Sequence, residues 1–155
     1  MVWARVCATG KTPIQFIDSG VKMNKEIYRK EIFEGLVLPW SRQHFGNQFW
    51  AFQQDSAPSH RAKTTQEWCK AHFLNFISAE EWPPYSCDLN PMDYSLWSIV
   101  ESRTCTRSHK SLETLKCSLR REWDKISVTE LWPIAKNFQK HLKLCVRAKG
   151  GNFEN

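Results

Sequence analysis

The chain has 155 residues, 41% of them hydrophobic and 25% charged, which are the proportions of a globular protein and exclude an intrinsically disordered one. Eight Trp and nine Phe supply large side chains for a core, and no run is long and apolar enough to span a membrane. The net charge of +6 permits binding to polyanions without requiring it. Six cysteines form no C-x-x-C pair, which argues against a zinc site, and Cys69 with His72 reads as two unrelated helix residues. No signal peptide precedes the cysteines, so reduced thiols in an intracellular compartment are expected.

In chain order, "VWARVCAT", then Gly10-Lys11, then "TPIQFID" predicts a β-hairpin, with Gly10 free to supply a positive φ at the turn. "DSGVKMN" is a second turn that contains Asp18. Asn24 is an N-cap candidate, with Glu26 in the first turn of a helix over "KEIYRKEIFEGLVL". Tyr28, Ile32 and Leu36 recur at spacing four, and Pro39 is expected to stop the helix. "NQFWAFQQ" reads as a short buried strand, "RAKTTQEWCKAHF" as a helix and "LNFIS" as a further strand. Three prolines bar regular structure from "EEWPPYSCDLNP". Asn90 then caps a helix that has Pro91 at its first position and runs through "MDYSLWSIVESR". Leu112, Leu115, Leu119 and Trp123 mark an amphipathic helix. Ser127 and Glu130 form a capping box for a last helix, whose start Pro133 delays or kinks. This order, ββαβαβ followed by helices, predicts one mixed α/β domain with a helical C-terminal part.

The chemistry concentrates in two carboxylates. Asp55 ends a strand, Asp93 stands at the third position of a helix, and 37 residues separate them. Singly, each has an ordinary structural role: Asp93 favours the helix dipole and Asp55 caps a turn. Together, a strand-end and a helix-start carboxylate can converge on a hard cation. Magnesium takes one or two protein carboxylates and completes its shell with water and phosphate oxygens. Two such ions can clamp an in-line displacement at phosphorus.

The flanks carry a resemblance. "FQQDSAPSHRAKTTQEW" and "WPPYSCDLNPMDYSLW" resemble the second and third catalytic blocks of mariner-type transposases of the DDE superfamily. The likeness extends from "MVWARVCATGKTPIQFID" through "KGGNFE". It implies that residues 1–155 form a partial DDE catalytic domain. The implied fold is ribonuclease-H-like: a mixed sheet flanked by helices, lacking the first central strand, with a helical C-terminal part. It also implies that Asp55 and Asp93 bind catalytic Mg2+ or Mn2+, that DNA is the partner, and that the site of action is the nucleus. A homodimer is an allowed assembly.

Two departures qualify this. The family's Ser-Pro-Asp-Leu is here Ser86-Cys87-Asp88-Leu89, which removes one rigid φ. The family's first catalytic aspartate lies on a strand upstream of the segment that starts at Met1, and no residue here matches it. The implied activity is metal-dependent cutting and joining of DNA, absent from this chain alone because its acidic set is incomplete. The alternative is a non-catalytic nucleic-acid-binding remnant or a domesticated transposon-derived protein.

Further candidates have bland readings beside functional ones. His60 either opens the next helix or contacts phosphate or water. Arg61 and Lys63 follow it as weak nucleic-acid contacts. Lys136, Lys140, Lys143 and Arg147 share one helix face, either solvated or contacting phosphates. Trp82 and Tyr85 pack their loop or stack bases, Trp97 is packing, and Glu101 is a spare acidic group.

Overall fold

The computed structural model describes residues 1–83 and 86–149. They form two compact units, Met1–Ile17 with Cys87–Asn155, and Asp18–Ser86.

In the first unit the expected hairpin is present. β1 (Val2–Trp3) pairs antiparallel with β4 (Gln15–Phe16), and β2 (Val6–Cys7) with β3 (Gly10–Lys11). The turn falls on Ala8-Thr9, and Gly10 pairs with Cys7 inside the ladder. Positive-φ glycines are Gly20 and Gly46, so Gly10 does not supply the expected turn conformation.

Helices follow in the described part of this unit. A 3₁₀ turn (Cys87–Leu89) leads into a π-helical turn (Met92–Leu96), which continues as α5 (Trp97–Thr104). α6 (Leu112–Lys125) is capped by Ser111, and α7 (Val128–Arg147) by the expected box of Ser127 and Glu130. Pro133 lies inside α7 and does not delay its start. A proline this near the N-terminus removes a backbone donor that would bond back into the first turn.

The core of the unit joins Ala4 and Ile14 of the hairpin to Met92, Leu96, Val100, Trp123, Ile126 and Leu131. Trp123 is fully buried, and its indole N–H donates to the Thr12 carbonyl at 2.8 Å. The Lys11 ammonium donates to the carbonyls of Asp124 and Ile126, so a hairpin lysine satisfies acceptors left over at the end of α6. Burial lowers the Lys11 pKa, against the pull of Asp124 and Glu130.

In the second unit Asn24 caps as expected, its Oδ1 accepting from the Ile27 N–H at 2.8 Å. The helix it opens differs from expectation. After α1 (Lys25–Ile27) come ten π-helical residues, Tyr28–Val37, and then α2 (Leu38–Phe45). Pro39 does not stop it. The Leu38 N–H reaches back to the Phe33 carbonyl, an i→i−5 bond, and Pro39 follows at the junction where the π-helical run passes into α2. Gly46, with φ 54°, ends α2.

Phe33 is fully buried among Tyr28, Phe52, Trp68 and Phe73, with ring centroids 4.6–5.6 Å apart. The expected strands at 47–54 and 74–78 reduce to one parallel bridge, Phe52 with Phe76. Phe49 is 84% exposed, so the first half of "NQFWAFQQ" has no sheet to face. α3 (Pro58–Arg61) and α4 (Lys63–His72) cover the expected helix.

All six cysteines are free thiols, and burial pushes the Cys69 thiol up to about 12. No helix of the described residues is long and apolar enough to cross a membrane.

The α7 cap is pH-sensitive. The Ser127 backbone N–H, and after it the Arg103 guanidinium, hold the Glu130 carboxyl down at about 2 from an ordinary 4.5. A depressed carboxylate contributes stability that is complete above the unfolded value and lost as pH falls through the folded one. Glu130→Gln is therefore expected to lower the melting temperature above about pH 4.5, with the gap from the parent closing as pH falls toward 2. Thermal unfolding across that range reads the effect.

Candidate functional site

Asp55 is placed by the chain on either side of it. Phe52 donates to the Asn75 carbonyl and accepts from Ile77, which fixes the backbone three residues upstream. Gln54 is buried, accepts from the Tyr28 hydroxyl at 3.0 Å and donates to the His60 carbonyl. The Asp55 Oδ1 accepts from the Ala57 N–H at 3.0 Å, a turn that sends the chain into Pro58 and α3. That short helix returns His60 to Asp55. The His60 Nδ1–H donates to Asp55 Oδ1 at 2.5 Å, and its ring lies against Tyr28 at 4.3 Å. The Asp55 side chain remains 45% exposed while the imidazole is 9% exposed. A buried ring thus holds a carboxylate at the surface.

This arrangement gives His60 a definite place. Its ring is buried and its Nδ1 faces the Asp55 carboxylate. The sequence signal was the six-residue "DSAPSH", in which Pro58 starts a helical turn that brings position 60 back over 55. Sequence reasoning noted the proximity but missed Tyr28 and Gln54, which lie beneath.

Asp93 is exposed at the start of its helix. Asn90 is buried, accepts from the Met92 N–H through Oδ1 at 3.2 Å and donates from Nδ2 to Asp93 Oδ2 at 2.8 Å. One cap residue therefore satisfies the helix end and orients the carboxylate, and the helix dipole favours negative charge there. Trp97 is half-buried and stacks on Trp123 at 6.3 Å, the packing role expected of it. The Asp88 carbonyl accepts from His141 Nδ1 at 2.6 Å, and the His141 ring lies 4.5 Å from Tyr94. The Tyr94 hydroxyl donates to the Ile134 carbonyl at 2.7 Å, and burial raises its pKa. α7 thus holds the entry to the Asp93 helix, a tie the sequence did not reveal.

The remaining candidates lie as follows. Trp82 is buried, as loop packing requires, and Tyr85 lies outside the described residues. Glu101 is exposed on α5. Arg61 and Lys63 are exposed, and the Lys63 ammonium lies 3.9 Å from Glu67. Lys136, Lys140, Lys143 and Arg147 are all exposed and line one depression along α7. Asp55 belongs to one compact unit and Asp93 to the other. Among the described residues no group of three or more His, Cys, Asp or Glu side chains is placed to hold a metal ion.

Comparison with known proteins gives these features a context. No family model matches the chain. It is 28% identical over 150 residues to the transposase of the transposable element Tcb1 of Caenorhabditis briggsae, covering 97% of this chain and 52% of that protein. It is 28% identical over 152 residues to the Tc3 transposase of Caenorhabditis elegans, covering 97% and 44%. The chain thus spans about half the length of the curated relatives it matches. Among solved structures, the catalytic domain of Mos1 mariner transposase superposes with a TM-score of 0.79 at 18% identity, over 99% of this chain and 82% of that one. The same domain with raltegravir and Mg gives 0.79 at 18%, over 99% and 75%. The Mos1 paired-end complex with the left transposon end gives 0.82 at 20%, over 99% and 44%.

The fold is therefore α/β and ribonuclease-H-like, as in the Mos1 catalytic domain. The chain is homologous to the Tc1, Tc3 and Tcb1 transposases and shares the architecture of the Mos1 mariner catalytic domain.

Asn90→Ala removes both the cap and the hydrogen bond to Asp93. It is expected to cost about 1 kcal/mol, the usual worth of an N-cap, read by urea unfolding.

Proposed function

We propose that residues 1–155 are the partial catalytic domain of a DNA transposase, with Asp55 and Asp93 as its metal-binding carboxylates. The observation that carries this is the hydrogen-bonded support behind each acid on a chain homologous to transposases. His60 orients Asp55 and Asn90 orients Asp93, as outer partners orient metal-ligating carboxylates. The donors are hard oxygens, which suit Mg2+ or Mn2+. The Mos1 catalytic domain has been solved with Mg and with Mn. A bound cation would supply charge neutralisation at a phosphodiester. The protein's own part is to present both carboxylates in fixed orientations.

DNA is the proposed partner, supported by the Mos1 complex with a transposon end and by the exposed cationic row on α7. A DNA substrate puts the site of action in the nucleus, and paired transposon ends call for two copies of the chain. The 155-residue polypeptide is proposed to bind metal through Asp55 and Asp93 alone. It is expected to give no strand cleavage of duplex DNA with Mg2+ or Mn2+. Metal-dependent cleavage that disappears in Asp55→Ala would overturn that inactivity.

The exposed row also favours a second reading, a non-catalytic DNA-binding remnant or domesticated protein. Either way, neutralising phosphates releases counterions, so log Kobs should fall linearly with log salt. Replacing Lys136, Lys140, Lys143 and Arg147 by Ala is expected to reduce the slope by roughly 3 to 4, about 0.9 for each phosphate no longer neutralised. An unchanged slope removes the row from the interface.

A further inference from the structure

A second polar site lies in the first unit, away from both carboxylates in sequence. α5 ends at Thr104 and α6 starts at Leu112, and the corner between them encloses a pocket lined mainly by polar side chains. Its walls carry three guanidiniums, Arg103, Arg107 and Arg121, with His109, Thr104 and Ser118.

The single carboxylate in the lining, Glu122, is already neutralised. Lys125 and Arg121 hydrogen-bond it and lower its pKa. Arg121 also donates to the buried Ser118 hydroxyl at 3.1 Å, which sets its guanidinium in the wall. Arg103 is held by Glu130 through one nitrogen, and a guanidinium has five N–H donors. The His109 Nε2–H donates to the Thr104 carbonyl at 2.9 Å, which ties the loop across the pocket. Thr114, in the first turn of the 14-residue α6, also lines the space, so the positive end of that helix dipole lies beside it.

Arg107 is exposed on the same wall, and guanidinium forks of this kind are the donors that a tetrahedral oxyanion takes.

We propose that this corner binds a phosphate group. The chemistry is shared by a DNA backbone phosphate and by a free phosphate or pyrophosphate, and the assignment does not depend on Asp55 or Asp93.

The test is calorimetric titration of the full chain with pyrophosphate at low salt, followed by binding of a short DNA duplex. The parent chain is expected to bind pyrophosphate. Arg107→Ala with Arg121→Ala should weaken that binding by roughly tenfold or more, since charge-assisted donors are removed. Arg107→Ala alone should weaken it severalfold without lowering the melting temperature, which separates ligand binding from folding. Lys22→Ala, an exposed cation in the other unit, should change nothing.

If the arginine variants also weaken the duplex and flatten its salt slope, the phosphate belongs to DNA. If duplex binding is unchanged while pyrophosphate binding is lost, the pocket serves a free phosphate. No pyrophosphate binding by the parent, or equal binding by the parent and both pocket variants, overturns the proposal.

Discussion

A carboxylate that is to stand at a surface in one orientation needs a donor whose own position is fixed from below. Here the donor is the His60 imidazole, hydrogen-bonded to Asp55 Oδ1 at 2.5 Å, and the ring of Tyr28 lies behind it. Tyr28 is fully buried and its hydroxyl holds Gln54, the residue before Asp55. One tyrosine therefore steadies the aspartate through both its imidazole partner and its backbone neighbour. Tyr28 in turn packs at 4.6 Å on Phe33, the centre of the aromatic core of that unit. The site on this unit is as rigid as the stack beneath it.

The other unit reaches a similar end by other means. Asn90 is both cap and orienting donor for Asp93, and the helix it starts is pinned by Met92, Leu96 and Val100 to a core shared with Trp123. The hairpin is bound into that core by three long-range bonds, one from Trp123 to Thr12 and two from Lys11 to the end of α6. All three commit polar groups of one element to orphaned groups of another, which is what buried backbone requires. His141 does the same for the Asp88 carbonyl.

Much of this was legible in the sequence, and the gaps have physical causes. Caps were readable because they depend on a residue and the backbone two or three positions on: Asn24, Asn90, Ser127 with Glu130. The hairpin was readable from alternation, but its turn residue was not, because Gly10 can sit in a ladder as easily as in a turn. The helix from Lys25 was readable as a helix but not as π-helical. Tyr28, Ile32, Phe33 and Val37 are buried at spacings of four and five, which a search for 3.6-residue periodicity blurs. Pro39 and Pro133 were misjudged for one reason. Each lies inside a helix and removes one backbone donor, a loss that the surrounding packing outweighs and that a sequence does not show. "NQFWAFQQ" read as a short buried strand, yet among the described residues only Phe52 pairs, since pairing requires a neighbour that the segment itself does not encode.

The candidate acids divide along the same line. Their immediate partners are local: Asp55 meets a residue five positions on, and Asp93 one three positions back. Short motifs therefore sufficed to find them. Their supports are remote, with Gln54 bonded to Tyr28 across 26 positions and Asp88 to His141 across 53. A segment that kept only "DSAPSH" or "DLNPMD" would hold the donor and acceptor groups that orient each acid but lose the packing that keeps them closed. Local bonds between exposed groups compete with water and are worth little alone, whereas buried partners exclude it. The motif specifies which way each carboxylate points, and the distant aromatic and helical packing determines how firmly it stays there.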